Sequence, residues 1–249
     1  MMIFRSVYTE LYKLKRSPVL WLSILGSLLL PVVFTCRFLY IGDYIDLWEG
    51  QNSWHQLVIR NTRAFTGFLL PVGAILVCSL LAQIEFKNDN WKRVHTTPQS
   101  FSIIFLAKFS TLLLLTVVVY LSFMVGVLIN GIIPNLVGAG TFPGDPLSLS
   151  FFWQEVLQSF ISVLPIIGLQ FLLSMRFKNF FISIGLGLTL FVCTMPLSRI
   201  DASFLSPYSY VLYYFDQKQR PYQELMAVLY FGLLFGLSYT IYIAKRDKS

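Results

Sequence analysis

Apolar residues in this chain fall in long runs separated by short polar segments. Six runs stand out: Pro18 to Tyr40, Ala64 to Ile84, Phe101 to Ile133, Val156 to Leu173, Phe180 to Leu197 and Leu225 to Ala244. About 20 apolar residues in a helix cross a ~30 Å hydrocarbon core. Backbone groups at that depth have no water to pair with, so each run is read as a helix. The third run exceeds the thickness of a bilayer, which predicts a tilt or an extension beyond it. Ahead of the first run the pattern changes. At 100° per residue Ile3, Phe4, Val7, Tyr8, Leu11 and Leu14 share one helix face, while Arg5, Thr9, Lys13 and Arg16 share the other. This predicts an interfacial helix over residues 1–17, with Lys15 snorkelling from the apolar side. Pro18 marks the turn into the membrane. The run that follows is too long for a signal-peptide core and lacks a small-residue cleavage site, so the segment is expected to stay attached.

Composition turns this pattern into a fold class. Of 249 residues 56% are hydrophobic and 12% charged, with a mean hydropathy of +0.68, where soluble domains carry roughly 25% charge. The expectation is an all-α polytopic membrane protein: one transmembrane domain, 1–249, with six transmembrane helices. Six spans put both termini on one side. Thirteen of the 19 basic residues lie on segments of that side, from Arg5 to Lys248, which places both termini in the cytoplasm. Eight of the 12 acids lie on the other side, so the net charge of +7 belongs to the inner face. A nucleic-acid surface would need a solvated basic domain, and no segment is long enough to form one.

The chain offers little chemistry of its own. No Gly is followed by Lys, so there is no phosphate-binding P-loop. Neither metal-ligand spacing nor a nucleophile elbow occurs. Cys36, Cys78 and Cys193 lie inside apolar runs as small lipid- or helix-facing residues, and His55 and His95 are expected at the outer and inner surfaces. No catalytic, metal or cofactor residue is assigned. Asp43, Asp46 and Glu49 beside Trp48 and Trp54 form an external acidic cluster, read either as a site for a cationic ligand or as a solvated helix face in the aromatic belt.

The sizeable cytoplasmic loop, 85–100, joins spans two and three and packs charge, Trp91 and Pro98 into a short stretch able to form a helix ending near Thr97. By itself it suits either docking on another protein or a solvated connection with Trp91 as an anchor. Glu85-Phe86-Lys87-Asn88, then Trp91-Lys92, Thr97-Pro98-Gln99-Ser100 and Lys108 resemble a pattern of type-2 ABC exporter permeases, closest to subunits of lantibiotic-immunity and bacitracin-resistance exporters. Asp89-Asn90 departs from the Gly-Thr frequent there. The resemblance implies a coupling helix seated in a cleft of a separate ATPase subunit, through Glu85, Lys87, Trp91, Lys92, Arg93 and Pro98. It further implies two ATPase copies carrying ATP and Mg, a second identical or paralogous permease, and residence in the cell (inner) membrane. The substrate class it implies is an amphipathic antimicrobial peptide or related drug.

Ionisable groups are nearly absent from span centres, which favours an externally powered machine over an ion-coupled one. Glu155 and Gln158 at the outer end of span four, with Gln170 deeper, are candidate pathway residues; amides at such depth also hold helices together. Pro31, Pro71 and Pro165 can bend their helices, and Gly232-x-x-x-Gly236 permits close helix approach within the chain or between copies. Segment 199–221 is too apolar for a solvated loop and should dip into the outer leaflet, with Ser206-Pro207 starting a helix. It is read either as a pathway cap or as a tyrosine-rich anchor. Residues 134–150 are expected to form an external loop. The competing class is a non-transporting scaffold or sensor that recruits a partner through the 85–100 loop.

Overall fold

The computed structural model describes residues 2–15, 17–41, 53–86, 100–137, 146–177, 179–198, 201–216 and 222–244. Among them there are helices and no strands. Helix α1 spans Met2–Lys15 and α2 Pro18–Ile41. Helix α3, Ser53–Ala64, runs through a π turn at Phe65–Leu69 into α4, Leu70–Phe86. Then come α5 (Phe101–Leu136), α6 (Leu149–Arg176) and α7 (Phe180–Leu197). A 3-10 turn at Asp201–Leu205 leads to the short α8 (Ser209–Phe215), and α9 covers Gln223–Ala244. Among the described residues six helical stretches are long and apolar enough to cross a membrane: α2, the continuous α3–α4, α5, α6, α7 and α9.

Two spans begin two turns or more before their apolar runs. The second starts at Ser53 rather than Ala64, because Leu57, Val58, Asn61 and Thr62 form a buried stripe at helical spacing within an otherwise polar stretch. His55, expected at the surface, is half-buried there against Phe151, with ring centroids 3.9 Å apart. Arg60 likewise sits over the Phe34 ring at 5.7 Å. The fourth span starts at Leu149 rather than Val156, since Phe152 already points into the core. Within the expected external loop, residues up to Leu136 continue α5 and Leu149 already opens α6; 138–145 lie outside the described residues. Asp43, Asp46 and Glu49 also lie outside them.

Helix α6 is the most enclosed of the six, packed chiefly on α9 and α4, while α2 and α1 pack on α5. Gly126 of α5 allows the α2–α5 approach: a Cβ there would stand 2.8 Å from the Pro31 ring. The core is aromatic where α5, α6 and α9 meet. Phe109 lies 5.2 Å from Phe171 and 4.6 Å from Phe235, ring centre to ring centre. Large aliphatic side chains face outward on α2, α5, α7 and α9, as lipid contact requires. Gly232 and Gly236 are exposed, and a Cβ on either would meet nothing within 4 Å, so packing among the described residues does not use this pair.

Helix α1 turns its faces in an instructive way. Ser6 and Leu14 are buried toward the bundle, while the apolar residues Ile3, Phe4, Tyr8 and Leu11 point outward. The apolar stripe thus faces the surroundings, as an interfacial helix needs, and a mixed seam meets α5.

Candidate functional site

At one end of the bundle α4 stops at Phe86 and α5 starts at Phe101, so segment 87–99 must bridge them. Ser100 caps α5: its carbonyl and Oγ accept from the Ile103 amide at 3.0 and 3.4 Å, satisfying a donor that a helix start leaves open. Glu85 lies in the last turn of α4, whereas Lys87, Trp91, Lys92, Arg93 and Pro98 lie outside the described residues.

Two turns into α5 sits Lys108, buried to 8% exposure. Its ammonium is 3.8 Å from Glu10 Oε1 of α1, and Lys13 holds the same oxygen at 2.6 Å. A small cavity of about 30 Å³, lined by Glu10, Lys108, Thr111, Cys78 and Met175 among others, adjoins the pair. This ties α1 electrostatically to the helix that leaves the 87–99 segment. The sequence shows a lysine inside an apolar run and a glutamate on an amphipathic helix, but nothing in it says that the two meet.

Deeper in the bundle a polar clamp joins three helices. Gln170 of α6 is fully buried; its Nε2 donates to Ser79 Oγ of α4 at 3.1 Å and to the Ser183 carbonyl of α7 at 2.9 Å. Ser174 and Ser183 share a further hydrogen bond of 2.9 Å. Gln170 therefore spends its amide donors inside the protomer. Gly187 makes room for it, since a Cβ there would come 2.5 Å from Gln170 Oε1.

At the opposite end, segment 201–216 folds back onto the bundle. The Ser203 and Tyr213 hydroxyls are hydrogen-bonded, Ser209 Oγ donates to the Ser203 carbonyl, and Tyr230 of α9 donates to the Leu205 carbonyl at 2.8 Å. Tyr208, Tyr210 and Tyr213 are buried in protein. Helix α8 begins at Ser209 with Tyr208 at its cap, three residues after Ser206, because the 3-10 turn occupies the chain up to Leu205. Two contacts latch α8. Tyr214 donates to Glu155 Oε2 at 2.5 Å, and Phe215 lies on Gly67, where a Cβ would come 2.4 Å from the ring. Burial, with the Glu155 carboxylate beside it, pushes the Tyr214 phenol well above its usual range, so it remains a donor. Gln158 is half-buried one turn along from Glu155.

Gly67 belongs to the π turn, in which the Leu70 amide donates to the Phe65 carbonyl five residues back. Pro71 follows directly. It has no amide to offer the carbonyl of residue 67, and its ring would crowd that oxygen, so the widened turn relieves the clash.

The profile of the ABC-2 family transporter protein matches residues 6–194. The chain belongs to this ABC-2 family. No curated protein and no solved structure matches it. As an ABC-2 permease it is the multi-pass membrane subunit of an ABC transporter and works with an ABC ATPase. The matched region runs from within α1 nearly to the end of α7, and so includes the ion pair, the clamp, the π turn and the 87–99 segment of the permease.

Proposed function

We propose that this permease is the transmembrane half of an exporter that moves an amphipathic antimicrobial peptide or related drug out of the membrane, giving self-protection. The observation that carries the reading is the family match across the helices flanking segment 87–99, together with the charged and aromatic residues of that segment. Glu85, Lys87, Trp91, Lys92, Arg93 and Pro98 act as the coupling element in a cleft of the ATPase, which binds ATP and Mg. Two ATPases and a second permease, identical or paralogous, complete the machine in the cell membrane, with both termini cytoplasmic. The thirteen-to-six distribution of basic residues supports that orientation. Closure of the ATPases pushes on α4 and α5, a rigid-body movement that alternates access to a pathway between permeases. Glu155, which accepts from Tyr214 of the α8 cap, and Gln158, one turn further along α6, serve as its polar lining.

The test is co-expression with a P-loop ATPase from a neighbouring reading frame, followed by purification and reconstitution. A single complex with substrate-stimulated hydrolysis is expected, along with sensitivity to peptide antibiotics in cells lacking the gene. Failure to recover any ATPase with the chain would favour a scaffold role instead.

A further inference from the structure

Between α2, α4 and α5 lies a cavity of about 430 Å³ whose lining includes no residue of α8. Its wall follows the second span from Phe65 to Leu80, about 22 Å at the helical rise per residue. The facing wall is α2 from Leu22 to Ser27. Gly26 and Gly73 line it, and a Cβ on either would meet nothing within 4 Å, so the two glycines widen the space. Two of its lining residues, Leu22 of α2 and Leu76 of α4, belong to the exposed apolar surface, so the cavity reaches that surface where these two helices flank it.

The chemistry of the wall restricts the occupant. Of its hydroxyls, Ser23 donates to the Val19 carbonyl at 2.8 Å, Ser27 to Ile24 at 2.7 Å and Thr116 to Leu112 at 3.0 Å. Each is satisfied within its own helix and has no hydrogen left for a ligand. Apart from the buried Cys78 thiol, a weak hydrogen-bonding group, the remaining surface is aliphatic and aromatic. An apolar cavity of this kind excludes water and takes up hydrocarbon, and its volume lies within the range of small-molecule sites.

We infer that this slot is a binding site for one acyl chain of a bilayer phospholipid, which enters between α2 and α4 and lies along α4. A long narrow shape suits an extended chain, and the side opening meets the membrane's own hydrocarbon at its highest local concentration. The site stands whether or not the exported substrate is a peptide. It makes the seating of α2 against α4 dependent on lipid, since the chain replaces direct helix contact there.

The full-length chain, reconstituted in vesicles of phosphatidylcholine with a photoactivatable diazirine on one acyl chain, provides the test. After irradiation, peptides holding Leu22 to Ser27 and Gly73 to Leu80 should carry adducts several-fold above those holding the freely exposed Leu186 and Leu190 of α7. Gly73→Leu should bring the slot labelling down to that background while leaving α7 labelling unchanged. Gly26→Leu, on the other wall, repeats the measurement should the first variant fold poorly; both replace glycine by a better helix former in open space. Slot labelling no higher than that of α7, or unchanged in both variants, overturns the assignment. So does a Leu76→Cys variant that forms disulfide dimers in place of lipid adducts, because a second copy would then fill the slot.

Discussion

Glu10 and Lys108 show how a single charge can be held inside an apolar span. Lys108 is nearly buried and has Glu10 beside it, whereas Glu10 keeps Lys13 as a closer partner. Removing the carboxylate should therefore cost more than removing the ammonium. Glu10→Leu is expected to destabilise by about 2–4 kcal/mol and Lys108→Met by less, with the double variant recovering part of the loss; thermal unfolding in detergent reads all three. Gln170 makes a second case. It was legible as a polar residue at depth, but only its neighbours decide between a pathway and a clamp. Gly187→Ala forces a methyl against the Gln170 carbonyl oxygen and Ile75, and should cost about 1–3 kcal/mol by the same measurement. Gln170→Leu should cost about 0.6–2 kcal/mol, the range of interhelical hydrogen bonds in membranes.

At the scale of elements, the apolar runs located all six spans, and their errors share one cause. Ser53 to Ala64 and Leu149 to Glu155 are amphipathic ends, whose polar members hide the buried stripe from a search for continuous apolarity. The stripe of Leu57, Val58, Asn61 and Thr62 has helical periodicity that the sequence itself carries. Pro71 announced a distortion, and the structure shows its form as the π turn that presents Gly67 to Phe215. Gly67→Ala should undock α8 by pushing Phe215 away, at a cost of about 1–3 kcal/mol. Pairing it with Phe215→Ala should restore stability, so a double-mutant cycle showing simple additivity would dismiss the latch. Should the α8 cap gate the pathway, the single variant also shows raised leak of substrate from reconstituted vesicles.

For the whole molecule, the decisive prediction concerns coupling. Trp91→Ala should leave folding intact while lowering substrate-stimulated ATP hydrolysis and transport together, by about tenfold or more if it is an interface anchor; full transport in that variant would dismiss the coupling role. The low charge and long apolar runs determined the membrane class and the count of spans, and periodicity gave the amphipathic pattern of α1, because water and hydrocarbon sort residues by polarity alone and that sorting is written in one dimension. The motif around 85–100 pointed to the family because its residues lie close together in the chain. Which helices touch was decided only by the tertiary structure. In hydrocarbon every lipid-facing leucine resembles every helix-facing one, so apolarity gives no direction to packing. Small residues, prolines and a few hydrogen bonds choose the partners. Pro31 against Gly126, Gln170 between Ser79 and Ser183, Glu10 beside Lys108, and the slot left between α2 and α4 each join residues far apart in sequence. Their meaning depends on an approach of backbones that no single segment specifies.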